Sequence, residues 1–402
     1  MARKPQLLSP VFDLTSLRAA IEGGADAVYF GLKELNMRAT AKNFDLGQLK
    51  KVVDICHKAK QGKKVKAYLA LNTIVYDNEL KRLKEIIKEA KKAKVDAIIC
   101  WDIAVVDEVR KSKIPLHIST QANISNANAA KFYKKLGAER VILARELNLN
   151  QIKGIKKEAK IQVEVFIHGA MCVSISGRCF MSQHVFGRSA NRGDCLQPCR
   201  RKYDVCKSEN MIKDVEEKYE LKLGQDYVMS PKDLCVLPFI EKLISAGIDS
   251  FKIEGRARSP EYVKTVTEVY REAIDAYFSK PNKLTPLLKK KLMKRLETVY
   301  NRGFSSGFYL GKPFKEWTSP ESKAKEKKVF VGFVKNYYAK AKVAEIKLHS
   351  GDLKQGDKIM FQGPTTGVFE QKAVSMEIDH KKVKEVKKGK SVGIKVKKTV
   401  RK

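Results

Sequence analysis

No run of about eighteen apolar residues occurs in the 402-residue chain, which excludes a membrane helix marked by hydropathy. The opening residues, MARKPQLLSP, lack the long apolar core of a secretory signal, so the expectation is a cytoplasmic protein with no membrane partner. Histidine is scarce, six in all, and none falls in a His-Glu-x-x-His pattern or a recognisable Ser–His–Asp order, which argues against the familiar peptidase chemistries. Acidic residues are also short: 45 Asp and Glu face 81 Lys and Arg, a net charge of +36. That deficit favours a polyanionic partner, of which RNA is the commonest soluble one, although a solvated lysine-rich surface has the same composition.

What is present is enough for two domains. The hydrophobic fraction is 43%, and the length exceeds one ordinary core. Four segments repeat one pattern: residues 23–31, 94–102, 137–145 and 247–255. Each reads as a helix end, an acidic turn residue (Asp26, Asp96, Glu139, Asp249) and a short buried strand. Further strands fit at 7–12, 64–72, 115–121 and 162–169, with helical patterns such as 47–60, 77–93 and 125–136 between them. Eight strands alternating with helices predict parallel βα units, which close most economically as a TIM-type (β/α)8 barrel; an open doubly wound sheet is the alternative. The barrel domain is expected over 1–315, with a cysteine-rich insertion at 171–230 after the seventh strand. Residues 316–328 read as a linker. From 329 to 402 the period switches to two with Gly turns, predicting a small all-β barrel whose lysine density suits RNA.

Six of the eight cysteines (172, 179, 195, 199, 206 and 235) fall within one 64-residue window. In a reducing compartment, clustering of this kind points to metal rather than to disulfides. Only Cys195 and Cys199 approach the spacing of a zinc pair, and an iron–sulfur cluster on dispersed thiolates fits at least as well. Buried, inert thiols are the plain alternative. Strand parity over 162–169 sets Val163, Val165 and Ile167 on one face and Glu164, Phe166 and His168 on the other, toward the barrel axis. Cys172 then falls just past the C-terminal end of that strand, where barrel enzymes keep their active sites. The same rule aims His117, Ser119 and Gln121 inward from the fifth strand, and Lys252 and Glu254 from the eighth. Buried ion pairs would account for the charged members as readily as catalysis. Arg38, Arg145, Arg256 and Arg258 stand at expected strand ends, where their planar forks suit a carboxylate or phosphate ligand.

The string Glu164-Val-Phe-Ile-His-Gly-Ala-Met-Cys172, followed by Ser176-Gly-Arg-Cys179, resembles the signature of the collagenase-like peptidase family U32. Asn191-Arg-Gly-Asp-Cys195-Leu-Gln-Pro-Cys199-Arg and Ser230-Pro-Lys-Asp-Leu-Cys235 extend the match over nearly the whole chain. It is closest to the branch that hydroxylates RNA bases at the 5-position. The resemblance implies an iron–sulfur enzyme with a 4Fe-4S cluster on Cys172, Cys179, Cys195 and Cys235, with Cys199 as substitute. It also implies prephenate, a small dicarboxylate, as co-substrate. The RNA target is tRNA (a wobble uridine) or rRNA (a cytidine). Glu164, His168, Lys252 and Glu254 are then the catalytic candidates, and Arg38, Gln121, Arg145, Arg256 and Arg258 the substrate-binding ones. A U32-type peptidase and a non-catalytic RNA-binding factor are the competing functions.

Overall fold

The computed structural model describes residues 3–59, 64–203, 227–279, 283–313 and 316–401. Cys206 and the stretch 204–226 lie outside the described residues. Seven strands, β1 (Gln6–Pro10), β2 (Ala27–Gly31), β3 (Lys66–Ala70), β4 (Ala97–Cys100), β5 (Leu116–Ile118), β6 (Ala138–Ile142) and β7 (Gln162–Gly169), pair in parallel with their chain neighbours. The closing strand, Ser250–Ile253, pairs in parallel with both β7 and β1: Ser250 lies opposite Glu164 on one side and Gln6 on the other. The sheet is therefore a closed (β/α)8 barrel of the TIM type.

The repeated acidic turn has a physical reason. The residue ending each preceding helix takes a left-handed backbone at Gly24, Lys94, Gly137 and Gly247, which halts the helix. The acid two residues later then caps the first free N–H of a neighbouring strand: Asp26 accepts from Leu7, Asp96 from Ala67 and Asp249 from Val163, at 2.7–2.9 Å. Glu139 departs from this and instead accepts from the Gln162 side chain at 3.0 Å. Helix starts carry their own caps, as in the capping box of Asp13 and Ser16 on helix Leu14–Glu22.

Past the mouth end of the barrel, a short strand at Asp233–Cys235 pairs antiparallel with the end of β7 and in parallel with Phe304–Ser305. Its Asp233 holds Arg302 at 2.6 and 2.9 Å in a buried pair. The stretch 316–328 runs along the barrel: Thr318, Lys323 and Lys325 donate backbone N–H groups to Ser230, Asn301 and Glu297. Beyond it, antiparallel sheets enclose a separate apolar core. A five-stranded sheet begins with Gly332–Tyr338 at its edge, and a hairpin, Lys358–Gly363 with Gly367–Lys372, lies outside that sheet. The hairpin rests on the helices Leu14–Glu22 and Pro260–Ser279, where Arg18 and Lys264 donate to the carbonyls of Pro364 and Val368. No helix among the described residues is long and apolar enough to cross a membrane.

Candidate active site at the barrel mouth

The barrel axis is filled by charge in two layers. In the deeper one Glu164, fully buried on β7, accepts from Arg140 Nη1 at 3.0 Å and from Ser250 Oγ at 2.9 Å, and pairs with Lys252 Nζ at 3.2 Å. Arg140 reaches on to Gln6 and Gln162, and His117 packs edge-on against Tyr68. Burial alone raises a carboxyl pKa, but Lys252 and Arg140 outweigh it and hold Glu164 below its ordinary value. Burial drives Lys252 down in spite of Glu164. The ion partner of Lys252 is thus Glu164 rather than Glu254.

The upper layer is different. Glu254, just past the closing strand, takes Arg38 Nη2 at 3.3 Å. Against the upward push of burial, Arg38, Arg256 and Arg145 together hold Glu254 low. Three guanidinium groups therefore share one carboxylate. Their remaining polar contacts are few: Arg256 Nη1 reaches Asn36 Oδ1 at 3.2 Å and Arg145 Nη1 reaches the Ala170 carbonyl at 2.9 Å. The Arg145 Nε and Nη2 and the Arg256 Nε are buried without a hydrogen-bond partner among the described residues. Burial lowers the pKa of both, that of Arg256 to about 10. Buried donors without partners are rare because each forfeits its hydration.

The cysteine insertion sits against this layer. β7 ends at Gly169 with φ +102°, where a Cβ would stand 2.4 Å from the Glu254 carbonyl oxygen; only glycine lets the chain turn there. Gly193, at φ +85°, lies as tightly against Asn36, and its carbonyl accepts from the Ala39 N–H. Arg192 clamps the insertion to Glu79 and stacks on Tyr76. Cys172 is partly buried, which raises its pKa, but the Ser174 hydroxyl at 3.3 Å, the N–H groups of Ser174 and Gly177, and Arg38 lower it overall. Arg38 senses both Cys172 and Cys195, and Arg145 senses Cys172, so guanidinium groups and thiols share one region.

Among the described residues no group of three or more His, Cys, Asp or Glu side chains is drawn up as a ready binding site for a metal ion. Cys195 nevertheless lies within electrostatic reach of Cys172 and Cys179, and Cys199 within reach of all three. Four soft donors on one insertion match the ligand chemistry of an iron–sulfur cluster, which intervening sulfides allow to be spread more widely than the ligands of a single ion. Cys235, the fourth ligand that the resemblance implies, has different surroundings. It is buried beside Tyr270 Oη at 3.6 Å and Met293 Sδ at 3.8 Å, and burial raises its pKa to about 11.

His168 also departs from the parity reading. Phe166 lies opposite Lys252 and His168 opposite Ile253, so Ile167 is an extra residue, a bulge. One extra residue reverses the faces beyond it. His168 consequently points out of the axis into Tyr262, Tyr270 and Phe304, its Nδ1 3.3 Å from Tyr270 Oη, and burial lowers its pKa to about 4. Arg258 lies on this side too, stacked 3.8 Å from the Tyr300 ring centre. Gln121 is spent within the protein, bonded to Ser119 and to both the side chain and the carbonyl of Asn72. Asn36, Asn72 and Arg140 are site residues that sequence reasoning missed. Arg140 was accessible to it, since alternation with Glu139 and Val141 turns it inward.

A closed barrel with a cysteine-rich insertion at its catalytic mouth has a counterpart among known families. Residues 12–319 match Peptidase family U32, and the chain belongs to that family. It is 45% identical to an uncharacterized protease of Methanocaldococcus jannaschii, over 98% of this chain and 96% of that one. It is 42% identical to a protein named collagenase from Porphyromonas gingivalis, over 98% and 95%. It is 36% identical to tRNA hydroxylation protein P1 of Bacillus subtilis, over 90% and 85%.

Proposed function

We propose that the chain is a cytoplasmic RNA hydroxylase that places a hydroxyl group on carbon 5 of a pyrimidine, a tRNA wobble uridine or an rRNA cytidine. A 4Fe-4S cluster on the cysteine insertion and prephenate as co-substrate complete the reading. The observation that carries it is the upper layer of the barrel: Arg38, Arg145 and Arg256 all act on the single carboxylate of Glu254, and Arg145 and Arg256 carry buried N–H groups without a partner among the described residues, beside the cysteines. Two surplus positive charges suit a dianion, and planar forks suit carboxylates. The net charge of +36 and a full-length relative named for tRNA hydroxylation favour RNA over a protein substrate. Bound in this region, the cluster would supply electron transfer. The chain's own part is to seat the dianion on Arg145 and Arg256, to keep Glu254 ionised, and to exclude water at the mouth of a basic surface where an unpaired base can be turned out.

The peptidase reading draws on the collagenase name. Its best nucleophile–base pair here would be Cys235 and His168, which share the Tyr270 hydroxyl. Burial pushes that thiol up and that imidazole down, the reverse of an activated thiolate–imidazolium pair.

Mass spectrometry of nucleosides from a strain lacking the protein tests the reading: a 5-hydroxylated pyrimidine in tRNA or rRNA should disappear, and unchanged levels of every such nucleoside would sink it. Iron analysis of anaerobically prepared protein tests the cluster. Cys172→Ser and Cys199→Ser are expected to lose iron, since each removes a soft donor from the group of four, whereas Cys235→Ser is expected to keep it. Full iron in Cys172→Ser defeats the cluster, and full iron in Cys199→Ser with loss in Cys235→Ser moves the fourth ligand to Cys235.

A further inference from the structure

Phe330 and Phe333 are large apolar side chains left in solvent, 52% and 61% exposed. Their rings meet edge to face with centroids 4.8 Å apart, and the exposed His349 continues the row 5.4 Å from Phe333. The row is fixed from below. The His349 N–H donates to the Val331 carbonyl at 2.7 Å, and the Ser350 hydroxyl donates to the Phe330 carbonyl at 2.6 Å. Strand Gly332–Tyr338 is the outermost of its sheet, so among the described residues no further strand covers that edge. Neither phenylalanine belongs to the domain's apolar core, so their burial does not hold the domain together.

The surroundings are cationic. Lys327, Lys328 and Lys335 flank the rings in sequence, Lys328 and Lys335 with their ammonium groups on Glu261 and Glu345, and beside His349 Lys347 reaches the Gly389 carbonyl while the Leu348 N–H bonds the Lys390 carbonyl at 3.0 Å. Residues 329–402 carry eighteen Lys and Arg against seven Asp and Glu. Exposed rings set among lysines complement one chemistry well: a strand with a stackable face on every base and a negative charge on every linkage. We propose that Phe330, Phe333 and His349 form a stacking platform for unpaired bases of RNA, with the surrounding lysines on its phosphates. The platform is tethered near the catalytic mouth. Lys328 Nζ holds Glu261 Oε1 at 2.7 Å, and Glu261 stands in the first turn of the helix that follows the loop of Arg256. A strand stacked on the platform is thereby led toward the opening of the barrel.

This inference rests on the RNA reading above, and the test separates the two. The full chain is titrated with a short single-stranded RNA and with a duplex of the same length, across a salt series. Phe330→Ala with Phe333→Ala is expected to weaken single-strand binding by about tenfold or more, because each stacked base contributes about 1–3 kcal/mol. The salt slope should stay unchanged, since it counts phosphate contacts, and so should thermal unfolding. Phe333→Trp should preserve affinity. Wild-type binding that is equally strong in the double variant overturns the platform and leaves a protein surface as the occupant of the patch. Equal losses on single strand and duplex overturn it too. A wild-type chain that binds neither RNA at low salt removes the RNA reading itself.

Discussion

Glu164→Ala is expected to destabilise the fold by about 3–5 kcal/mol, a large part of the ~5–15 kcal/mol that holds an ordinary domain together. The reason is what remains: Arg140 and Lys252, both buried in the barrel, lose the carboxylate that each contacts within 3.2 Å. Denaturant unfolding measures the loss, and a change below about 1 kcal/mol would contradict the pairing. Lys252→Met added to Glu164→Leu should recover part of it, since a matched apolar pair removes the stranded charge. The pH dependence has a definite sign. Glu164 is held below its ordinary carboxylate value, so its stabilisation is present above about pH 4.3, the unfolded value, and is lost as pH falls through the lower folded value. The acid limb of the wild-type stability curve should therefore be steeper than that of Glu164→Ala.

Arg145→Ala and Arg256→Ala are each expected to lower hydroxylation, as kcat/KM for the dianionic co-substrate, by about a hundredfold while iron content stays at the wild-type level. Both residues bury N–H groups that have no acceptor among the described residues. Arg145→Lys should rescue little, because a point charge does not reproduce the fork. Arg258→Ala serves as the comparison: its guanidinium is stacked on the Tyr300 ring, so its effect should be small. Activity that survives loss of Arg145 and Arg256 but fails with loss of Arg258 would move the anion site to the other side of β7.

The barrel was readable because its signals are local. A left-handed helix end followed by an acid two residues on is a short-range pattern, and in three of the four repeats the acid's partner is the N–H that begins an adjacent strand. The inward charges Glu164 and Lys252 followed from alternation for the same reason. Alternation failed at His168, where the extra residue Ile167 reverses the faces and no residue type announces it. The cysteines were readable as a group from their clustering in one stretch of sequence. Cys199 and Cys235 are set apart by the path of the chain between them, which leads one onto the insertion and the other onto the strand behind β7. The partners of each arginine were equally hidden, since Arg38 and Glu254 meet across 216 positions of sequence.

The placement of the closing strand also sets an order of assembly. β1 ends at residue 10, yet one of its two partners begins at residue 250, so during synthesis β1 and then β7 present open edges until the ribosome has supplied some 240 residues more than β1 itself. At about 5–20 residues per second that interval is roughly 10–50 s, long enough for an unpaired edge to recruit the wrong strand. The hairpin at 358–372 emerges later still and lies across the two helices that flank the seam, Leu14–Glu22 and Pro260–Ser279. Chains released before that hairpin is made should accordingly be richer in aggregates than full-length ones, even when every barrel residue is present.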